Sequence, residues 1–512
     1  MRLFRSRRLV HALIALGVAL IIGGLYRLEQ TGHAGWTLSN WEFGFRDTIT
    51  KTGRLNPPDN RLIFLGIDST SVSLSETDMK TLFANIPPDS SEYRALSLIA
   101  AGFPFSREVY ALLSERLLKA GARAVVFDLL LSKSGVGDDV LQSTIRQYPG
   151  RIVLGSNFVQ ETIGPGRQAW AVSLPVSSVV PDLAPDHPSI GYVNFWPGFN
   201  GVIRSAQYRA TIAQLEGGSP PVAGGPDPVL SSLSFRAASQ LGPATLSRLF
   251  EPHLFRYSGP AGTYTAIPVY QVFVPDYWQR NFGNGEAVRD KVVLVGPAGN
   301  WTHDEHITPF GVMPGPEVQI NAINALLHQA FIRELPPWAM DFLIVLGVIA
   351  AWLLTIFVRK TWLRLATFLL LAAGYLFSVK LAYDYGNTVL PTIPPALAFA
   401  LAGLVSFVYD FTHETLEKLR IRRTLEAYVS KDVVRDVLDN PETYLSKLGG
   451  QREKVALIVT DLRGFTTMSE EMDSHQLVAQ LNEYLSLMVD DIFSQRGSVD
   501  KFIGDAILAV WG

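Results

Sequence analysis

Cysteine is absent from this 512-residue chain, and its absence excludes disulfide scaffolds, thiolate zinc sites and thiol nucleophiles. Charged residues are also scarce: they make up 18% of the chain, against a usual share of about 25%. The 44 Lys and Arg residues nearly balance the 47 Asp and Glu residues, so the chain lacks the basic excess that is typical of nucleic-acid-binding proteins. The 48% share of apolar residues points instead to membrane segments. The length leaves room for roughly two to four domains.

Four long apolar runs predict membrane-spanning helices over 9–26, 338–358, 365–383 and 388–409. The first run follows an arginine-rich N-terminus, which is also typical of a signal peptide. No convincing small-residue cleavage site follows it, so we favour an uncleaved anchor. Asp341 and Lys380 are expected near the ends of their spans, where they can reach the membrane interface.

Lysine and arginine in the short flanks of these runs predict the orientation of the chain. They cluster at the N-terminus, after the second run and after the fourth run, and four crossings put all three clusters on one side. We therefore expect a cytoplasmic basic N-terminus at 1–8 and an extracytoplasmic domain over 27–336. The expected location is a bacterial inner membrane, with the lipid bilayer as a partner.

The segment 27–336 predicts an α/β domain with a mainly parallel sheet. Continuous apolar strands are expected at 61–68, 124–128, 151–155 and 291–296, and a helix at 106–120. Asp68 and Asp128 end two of these strands, where open α/β sheets place ligand sites, although a role as turn caps is favoured. The run His303, Asp304, Glu305 and His306 is either a metal cluster or, as we favour, a hydrogen-bonded polar loop.

Three stretches of this domain resemble the CHASE2 extracytoplasmic sensor domain: RLIFLGID, FPFSREVYALLSERLLKAGARAVVFDLLLS, and the run from DKVVLVGPAGNWTHDEH to INALL. In that family the sensor precedes three transmembrane helices and a cytoplasmic output domain, which matches the four spans predicted here. The resemblance implies that the domain senses an extracytoplasmic signal of unknown identity.

A helical coupling segment is predicted over 410–450, between the last span and the C-terminal region. A charged helix covers 410–423, and a second helix begins near a cap at Ser430 and ends before Pro441. The apolar stripe falls short of three or four clear heptads, so a parallel coiled coil and a solvated amphipathic connector both remain open.

Two carboxylates stand out in the C-terminal region, 451–512. Asp461 ends a predicted strand, and Asp505 lies at the tip of a predicted hairpin, so adjacent strands of one sheet are expected to bring them forward. Carboxylate oxygens suit Mg²⁺ or Mn²⁺. The backbone from Arg463 through Gly464 and Phe465 to Thr466 opens a helix, where free amides can bind a polyphosphate.

The strings VTDLRGFTTMSE and SVDKFIGDAILAVWG closely resemble the first two signature blocks of class III nucleotidyl cyclases. The resemblance implies a ferredoxin-like α+β domain in which Asp461, Asp505 and the Leu462 carbonyl bind two metal ions. Lys501 matches the purine-reading lysine of adenylate-specific members, so ATP and its conversion to cyclic AMP and pyrophosphate are implied. The family's site lies between two catalytic domains, which implies a homodimer in which Lys501 serves its partner's metal site.

The cyclase resemblance ends at Gly512, before the segments that supply the family's second base-reading residue, its Asn and its Arg. We expect an incomplete catalytic domain, and little or no cyclase activity from this polypeptide. A non-catalytic transmembrane sensor or dimerisation subunit, and a guanylate cyclase, are the alternatives to an adenylate cyclase.

Overall fold

The computed structural model describes residues 2–32, 37–81, 83, 85–164, 167–181, 183–184, 186–198, 200–218, 228–242, 250–299, 304–358, 360–426, 452 and 454–512. The chain divides into two compact units, Met1–Leu401 and Ala402–Gly512. Most of the predicted coupling segment, from 427 to 450, and His303 of the predicted polar loop lie outside the described residues.

The α-helices of the first unit are α1 Arg2–Gln30, α2 Thr37–Thr52, α3 Ser69–Val72, α4 Glu76–Thr81, α5 Ser91–Ala100, α6 Arg107–Lys119, α7 Asp138–Gln147, α8 Ile212–Leu215, α9 Leu233–Ser239, α10 Pro275–Phe282, α11 Gly315–His328, α12 Trp338–Phe357 and α13 Thr361–Asp384. Helix α14, Ile393–Glu426, begins in the first unit and continues into the second. The strands of the first unit are β1 Leu62–Ile67, β2 Ala124–Leu130, β3 Ile152–Gly164, β4 Arg167–Ser173, β5 Ile190–Tyr192, β6 Ser205–Ala206, β7 Arg209–Ala210, β8 Leu230–Ser231, β9 His253–Phe255, β10 Ile267–Pro268, β11 Val292–Pro297, β12 Glu305–Thr308, β13 Gly311–Pro314, β14 Phe331–Glu334 and β15 Thr388–Val389.

The main sheet is almost wholly parallel, as the continuous apolar runs predict. Its strand order is β10-β1-β11-β2-β3-β4, and β5 also pairs with β3. The β3–β4 pair is antiparallel, and the other pairs are parallel. The expected α/β fold of this domain is therefore confirmed.

Both faces of the main sheet are buried, which explains why its strands are apolar throughout rather than alternating. Leu65, Val125 and Val295 point into a core shared with α5, α6 and α7. Their chain neighbours Phe64, Val126 and Leu294 point into a second core with α9 and α11. This layered arrangement positions the loops at the carboxyl ends of the strands.

Among the described residues, four helices are long and apolar enough to cross a membrane: Arg7–Gln30, Trp338–Phe357, Trp362–Asp384 and Ile393–Leu425. As expected, Asp341 and Lys380 lie near helix ends and have partners there. Asp341 forms an ion pair with Arg27. The Lys380 Nζ lies 3.1 Å from an oxygen of Asp384 and donates to the Thr52 carbonyl.

The fourth span starts later than the predicted residue 388. Thr388–Val389 forms β15, and α14 begins only at Ile393. Prolines at 391, 394 and 395 explain the difference, because proline is tolerated at a helix start but lacks the amide that helix interiors require. At its other end α14 runs on to Glu426, so the predicted charged helix 410–423 is continuous with the span.

A second, smaller sheet joins the turn between α13 and α14 to the α/β domain. Its strand order is β15-β14-β9-β6. β15 pairs in parallel with β14, so that Arg333 lies opposite Thr388. Strands β9 and β6 continue the sheet through antiparallel pairs.

The described part of the second unit contains a three-stranded sheet and two helices in addition to its part of α14. The strands are β16 Ala456–Thr460, β17 Ser498–Ile503 and β18 Ala506–Trp511, and the helices are α15 Phe465–Glu471 and α16 Ser474–Ser494. The strand order is β16-β18-β17, with antiparallel pairs throughout. Ile492 of α16 packs on Ile507 and Ala509 of β18 to form a small core.

Candidate functional site

The predicted metal-binding segments lie at one edge of the sheet in the second unit. β16 ends directly before Asp461, and β18 begins directly after Asp505. These strands are antiparallel neighbours, with Thr460 opposite Ile507. Because the end of one antiparallel strand lies beside the start of the other, both aspartates emerge at the same edge.

A direct contact joins the two segments. The Leu462 amide donates a hydrogen bond to Oδ2 of Asp505 at 3.3 Å. A second bond of 3.3 Å runs from the Ile507 amide to Oγ1 of Thr460. The structure therefore brings Asp505 against the backbone that carries Asp461 and Leu462.

The turn after Asp461 depends on a glycine. Gly464 has a φ of 81°, in the left-handed region that glycine adopts readily, and it caps α15. The Phe465 amide donates to the Leu462 carbonyl at 3.2 Å, so this amide is not free for a phosphate in this conformation. The Leu462 carbonyl keeps a second lone pair for another partner.

The other residues of the predicted phosphate-binding turn are open to solvent. Arg463, Gly464 and Thr466 are exposed, whereas Phe465 is half-buried. The helix that follows is only seven residues long. Among the predicted phosphate-binding groups of this turn, the Arg463 side chain carries a positive charge.

Lys501 lies on β17, the strand of this sheet that does not pair with β16. It is opposite Leu508, next to an irregularity in the β17–β18 register, and its side chain is 61% exposed. Its Nζ lies 3.4 Å from Oδ2 of Asp500. In the described part of this chain, the structure does not bring Lys501 into contact with Asp461 or Asp505.

The donors at the sheet edge fit a divalent cation. Asp461 is exposed and Asp505 is half-buried, so both carboxylates can be reached from solvent. Within the described residues no group of three or more acidic or histidine side chains converges. Mg²⁺ is commonly bound by one or two carboxylates together with water and substrate phosphates, so two aspartates and one carbonyl are a sufficient protein contribution.

In the first unit, Asp68 caps a helix. Its Oδ1 accepts hydrogen bonds from the amide and hydroxyl of Ser71, at 2.9 and 2.6 Å. Its Oδ2 accepts a bond from the Thr70 hydroxyl at 2.6 Å. The favoured interpretation of this residue as a turn cap is confirmed.

Asp128 belongs instead to an acidic pair. Burial raises the pKa of this carboxyl well above its usual value, and the nearby charge of Asp304 raises it further. Burial also raises the pKa of Asp304, whereas His306 lowers it. The sequence did not reveal the pair. Asp128 does not end its strand as expected but lies within β2, which runs on to Leu130, and Asp304 directly precedes β12.

The described part of the predicted polar loop is better explained as a structural connection than as a metal cluster. Glu305 and His306 begin β12, and His306 Nε2 lies 3.6 Å from Oδ1 of Asp304. The Asp304 carbonyl accepts a hydrogen bond from the Gly315 amide at 3.0 Å. These contacts connect the loop to the start of α11.

The sequence also gave no indication of two buried glutamates at helix junctions. Glu29 is 4% exposed and Glu42 is 1% exposed. Each accepts hydrogen bonds from backbone amides of another helix start. A glutamate in an otherwise amphipathic segment such as α2 gives little signal by itself, because most glutamates are exposed.

The fold defines a class of protein: an α/β domain joined to helices that are long and apolar enough to cross a membrane. The family model of the CHASE2 domain matches residues 16–358, more than half of the chain. The chain therefore belongs to the CHASE2 family, and the predicted resemblance is confirmed. CHASE2 is an extracellular sensor domain.

Several curated proteins are similar to shorter stretches of the chain. Uncharacterized proteins of Mycobacterium bovis and Mycobacterium tuberculosis are 35% identical over 97 residues, which is 19% of this chain and 17% of each relative. Adenylate cyclase 1 of Rhizobium meliloti is 32% identical over 91 residues, 17% of this chain and 13% of that protein. The chain thus spans less than a fifth of the length of these relatives.

Proposed function

We propose that this chain is part of a sensor adenylate cyclase of an inner membrane, which converts ATP to cyclic AMP and pyrophosphate in response to an extracytoplasmic signal. The sensor role rests on the CHASE2 domain, and the cyclase role is supported by a distant relative named as an adenylate cyclase. The observation that carries the catalytic assignment is the contact between the Leu462 amide and the Asp505 carboxylate.

In the proposed orientation the α/β domain lies outside the cytoplasm and the second unit lies inside it. The basic clusters at the N-terminus, after α12 and along the end of α14 would then all be cytoplasmic, as the positive-inside rule requires. The pairing of β15 with β14 supports this topology, because it keeps the turn between α13 and α14 on the side of the sensor.

Asp461 and Asp505, with the Leu462 carbonyl, would hold two Mg²⁺ or Mn²⁺ ions. When bound, such ions supply positive charge that stabilises the triphosphate and lowers the pKa of the ribose 3′-hydroxyl. In the proposed reaction the 3′-oxygen attacks the α-phosphorus, the bond to pyrophosphate breaks, and the hydroxyl proton is lost. Arg463, which is exposed in the turn, would contribute positive charge to phosphate binding.

Lys501 would read the adenine ring across a homodimer. Its side chain is exposed, its ammonium contacts Asp500, and it makes no described contact with the metal-binding residues of its own chain. A partner's Lys501 opposite each metal-binding edge would account for this separation. The dimer is therefore part of the proposal.

The proposal is tested in membranes that contain the whole chain, incubated with Mn²⁺ and either ATP or GTP. The assay measures nucleotide binding and the formation of cyclic AMP, cyclic GMP and pyrophosphate. We expect Mn²⁺-dependent binding that prefers ATP and is lost in Asp505→Ala. Cyclic AMP formation that Asp505→Ala abolishes would establish the catalytic role.

Other outcomes assign other roles. Absence of Mn²⁺-dependent nucleotide binding would favour a sensor or dimerisation subunit, and a preference for GTP with cyclic GMP formation would favour a guanylate cyclase. Binding that survives Asp505→Ala unchanged would contradict the proposed metal site.

A further inference from the structure

The N-terminus of α14 is capped by a glutamate from another helix. Glu42 of α2 accepts a hydrogen bond from the Ile393 amide at 2.7 Å and from the Thr392 amide at 3.0 Å. The next two residues of α14 are prolines, which have no amide hydrogen. The amide of residue 396 is already bonded within the helix start. Glu42 therefore satisfies the backbone donors with which α14 begins.

Helix α2 is also held by the α/β domain. Arg204, just before β6, forms a two-pronged ion pair with Asp47 of α2, at 2.7 and 2.8 Å. Both side chains are largely buried, at 12% and 18% exposed. Such a planar, bidentate pair fixes direction as well as distance.

Arg46 of α2 joins strand β14 to Glu42. Its Nη1 donates to Glu334 of β14 at 2.9 Å, and its Nε donates to Glu42 at 3.1 Å. Strands β6 and β14 belong to the same small sheet. Contacts therefore run without a break from this sheet, through α2, to the first residues of α14.

The start of α2 depends on the first membrane-capable helix in the same way. Glu29, in the last turn of α1, accepts bonds from the amides of Leu38 and Ser39 at 2.9 and 2.8 Å. Buried carboxylates at helix N-termini interact with the positive end of the helix dipole as well as with the amides. Two buried glutamates thus join α1 to α2 and α2 to α14.

We propose that α2 is a coupling helix, which transmits a displacement of the β6–β9–β14 sheet to α14 through Arg204, Asp47, Arg46 and Glu42. Helix α14 is the element that leads on to the second unit, so a signal received by the sensor domain would reach it by this route. The coupling rests on contacts within the first unit, and it holds whether or not the second unit is a cyclase. The alternative is that α2 only stabilises the junction and transmits no displacement.

The test is hydrogen–deuterium exchange of the whole chain in lipid nanodiscs. The segment 390–396 has four backbone amides, because three of its seven residues are prolines. The amides of Thr392 and Ile393 are the two that Glu42 accepts bonds from. If α2 couples the sheet to α14, Arg204→Gln should speed exchange in this segment about tenfold or more. The matched control is Arg94→Gln, which breaks the Arg94–Glu108 pair elsewhere in the domain, with bonds of 2.9 and 2.8 Å.

A double variant tests whether Arg204 and Glu42 act through one route across α2 or stabilise the junction independently. Glu42→Gln should speed the exchange by itself, and Arg204→Gln should add nothing in that background, because both substitutions interrupt one route. Unchanged exchange in Arg204→Gln, additive effects in the double variant, or an equal effect of Arg94→Gln would overturn the proposal. An equal rise in β11, which would mean general loosening of the domain, would also count against it.

Discussion

The Asp505 carboxylate accepts a hydrogen bond from the Leu462 amide, across two strands that are antiparallel neighbours. The contact places a hairpin tip against the residue that follows Asp461. It also leaves the second oxygen of Asp505 without a described hydrogen bond. Two aspartates that adjoin the ends of neighbouring strands are thus held at one edge of the sheet by backbone geometry, which is the arrangement that the proposed metal site requires.

Reversing the charge of Lys501 should change the nucleotide preference. A lysine ammonium only donates hydrogen bonds and a glutamate only accepts them, so Lys501→Glu exchanges the purine edges that the side chain can recognise. We expect the ratio of ATP affinity to GTP affinity to fall about tenfold, or 1.4 kcal/mol, in an equilibrium binding assay with Mn²⁺.

The control is Lys454→Glu, which makes the same charge change at another exposed lysine of the second unit. If Lys454→Glu shifts the ratio as much as Lys501→Glu, long-range charge accounts for the change and the base-reading role is wrong.

Replacing Asp128 with asparagine should stabilise the protein at neutral pH. The pKa of Asp128 is raised in the folded state, above its usual value of about 3.9, by burial and by Asp304. Its favourable contribution is therefore present below about pH 3.9 and is lost as the pH rises through the folded-state pKa. At pH 7.5 the charged form costs free energy, and Asp128→Asn should recover about 1–3 kcal/mol.

The unfolding temperature of the whole chain, measured at pH 5 and pH 7.5, checks this prediction. The gain from Asp128→Asn should be larger at pH 7.5 than at pH 5. Asp276→Asn, at an exposed position in the first turn of α10, serves as the control and should change little at either pH. An Asp128→Asn protein that is less stable at pH 7.5 would contradict the account.

A methyl group at Gly53 should weaken the junction between α2 and α13. A Cβ there would lie 2.7 Å from Oδ1 of Asp384 and 2.8 Å from the Tyr383 ring. Overpacking of this kind costs about 1–3 kcal/mol, so Gly53→Ala should lower the unfolding temperature. Gly44→Ala, within α2 and with nothing within 4 Å of the new Cβ, should be neutral or should stabilise by up to about 1 kcal/mol. Equal effects of the two substitutions would show that the close approach at Gly53 is unimportant.

Local features of the fold could be predicted from the sequence. The helix expected over 106–120 is α6, Arg107–Lys119, because Ser106 caps it and glycine follows it. The strand expected at 291–296 is β11, Val292–Pro297, because a run of β-branched and aliphatic residues is bounded by a turn at each end. In both cases the deciding information lies within a few residues.

Features that depend on distant residues could not be predicted. Glu42 caps a helix start that lies 350 residues further along the chain, and nothing near Glu42 indicates it. Thr388 and Val389 are apolar enough to extend a span, yet pairing with β14 makes them a strand. The sequence predicts Asp461 at a strand end and Asp505 at a hairpin tip, and the two carboxylates by themselves suggest a divalent metal, whereas the expected reaction comes from the resemblance of the surrounding strings.

The central claim is that Asp461 and Asp505 bind a divalent metal ion. Its most direct test is a titration of the whole chain with Mn²⁺ in the presence of ATP, in which electron paramagnetic resonance measures the bound Mn²⁺. Loss of one metal-binding carboxylate should weaken binding at least as much as loss of a supporting residue, about 10–100-fold. We therefore predict that Asp461→Asn and Asp505→Asn each weaken Mn²⁺ binding by about tenfold or more, whereas Asp500→Asn, one strand away, leaves it unchanged. Equal binding by all four proteins would contradict a metal site at this edge of the sheet.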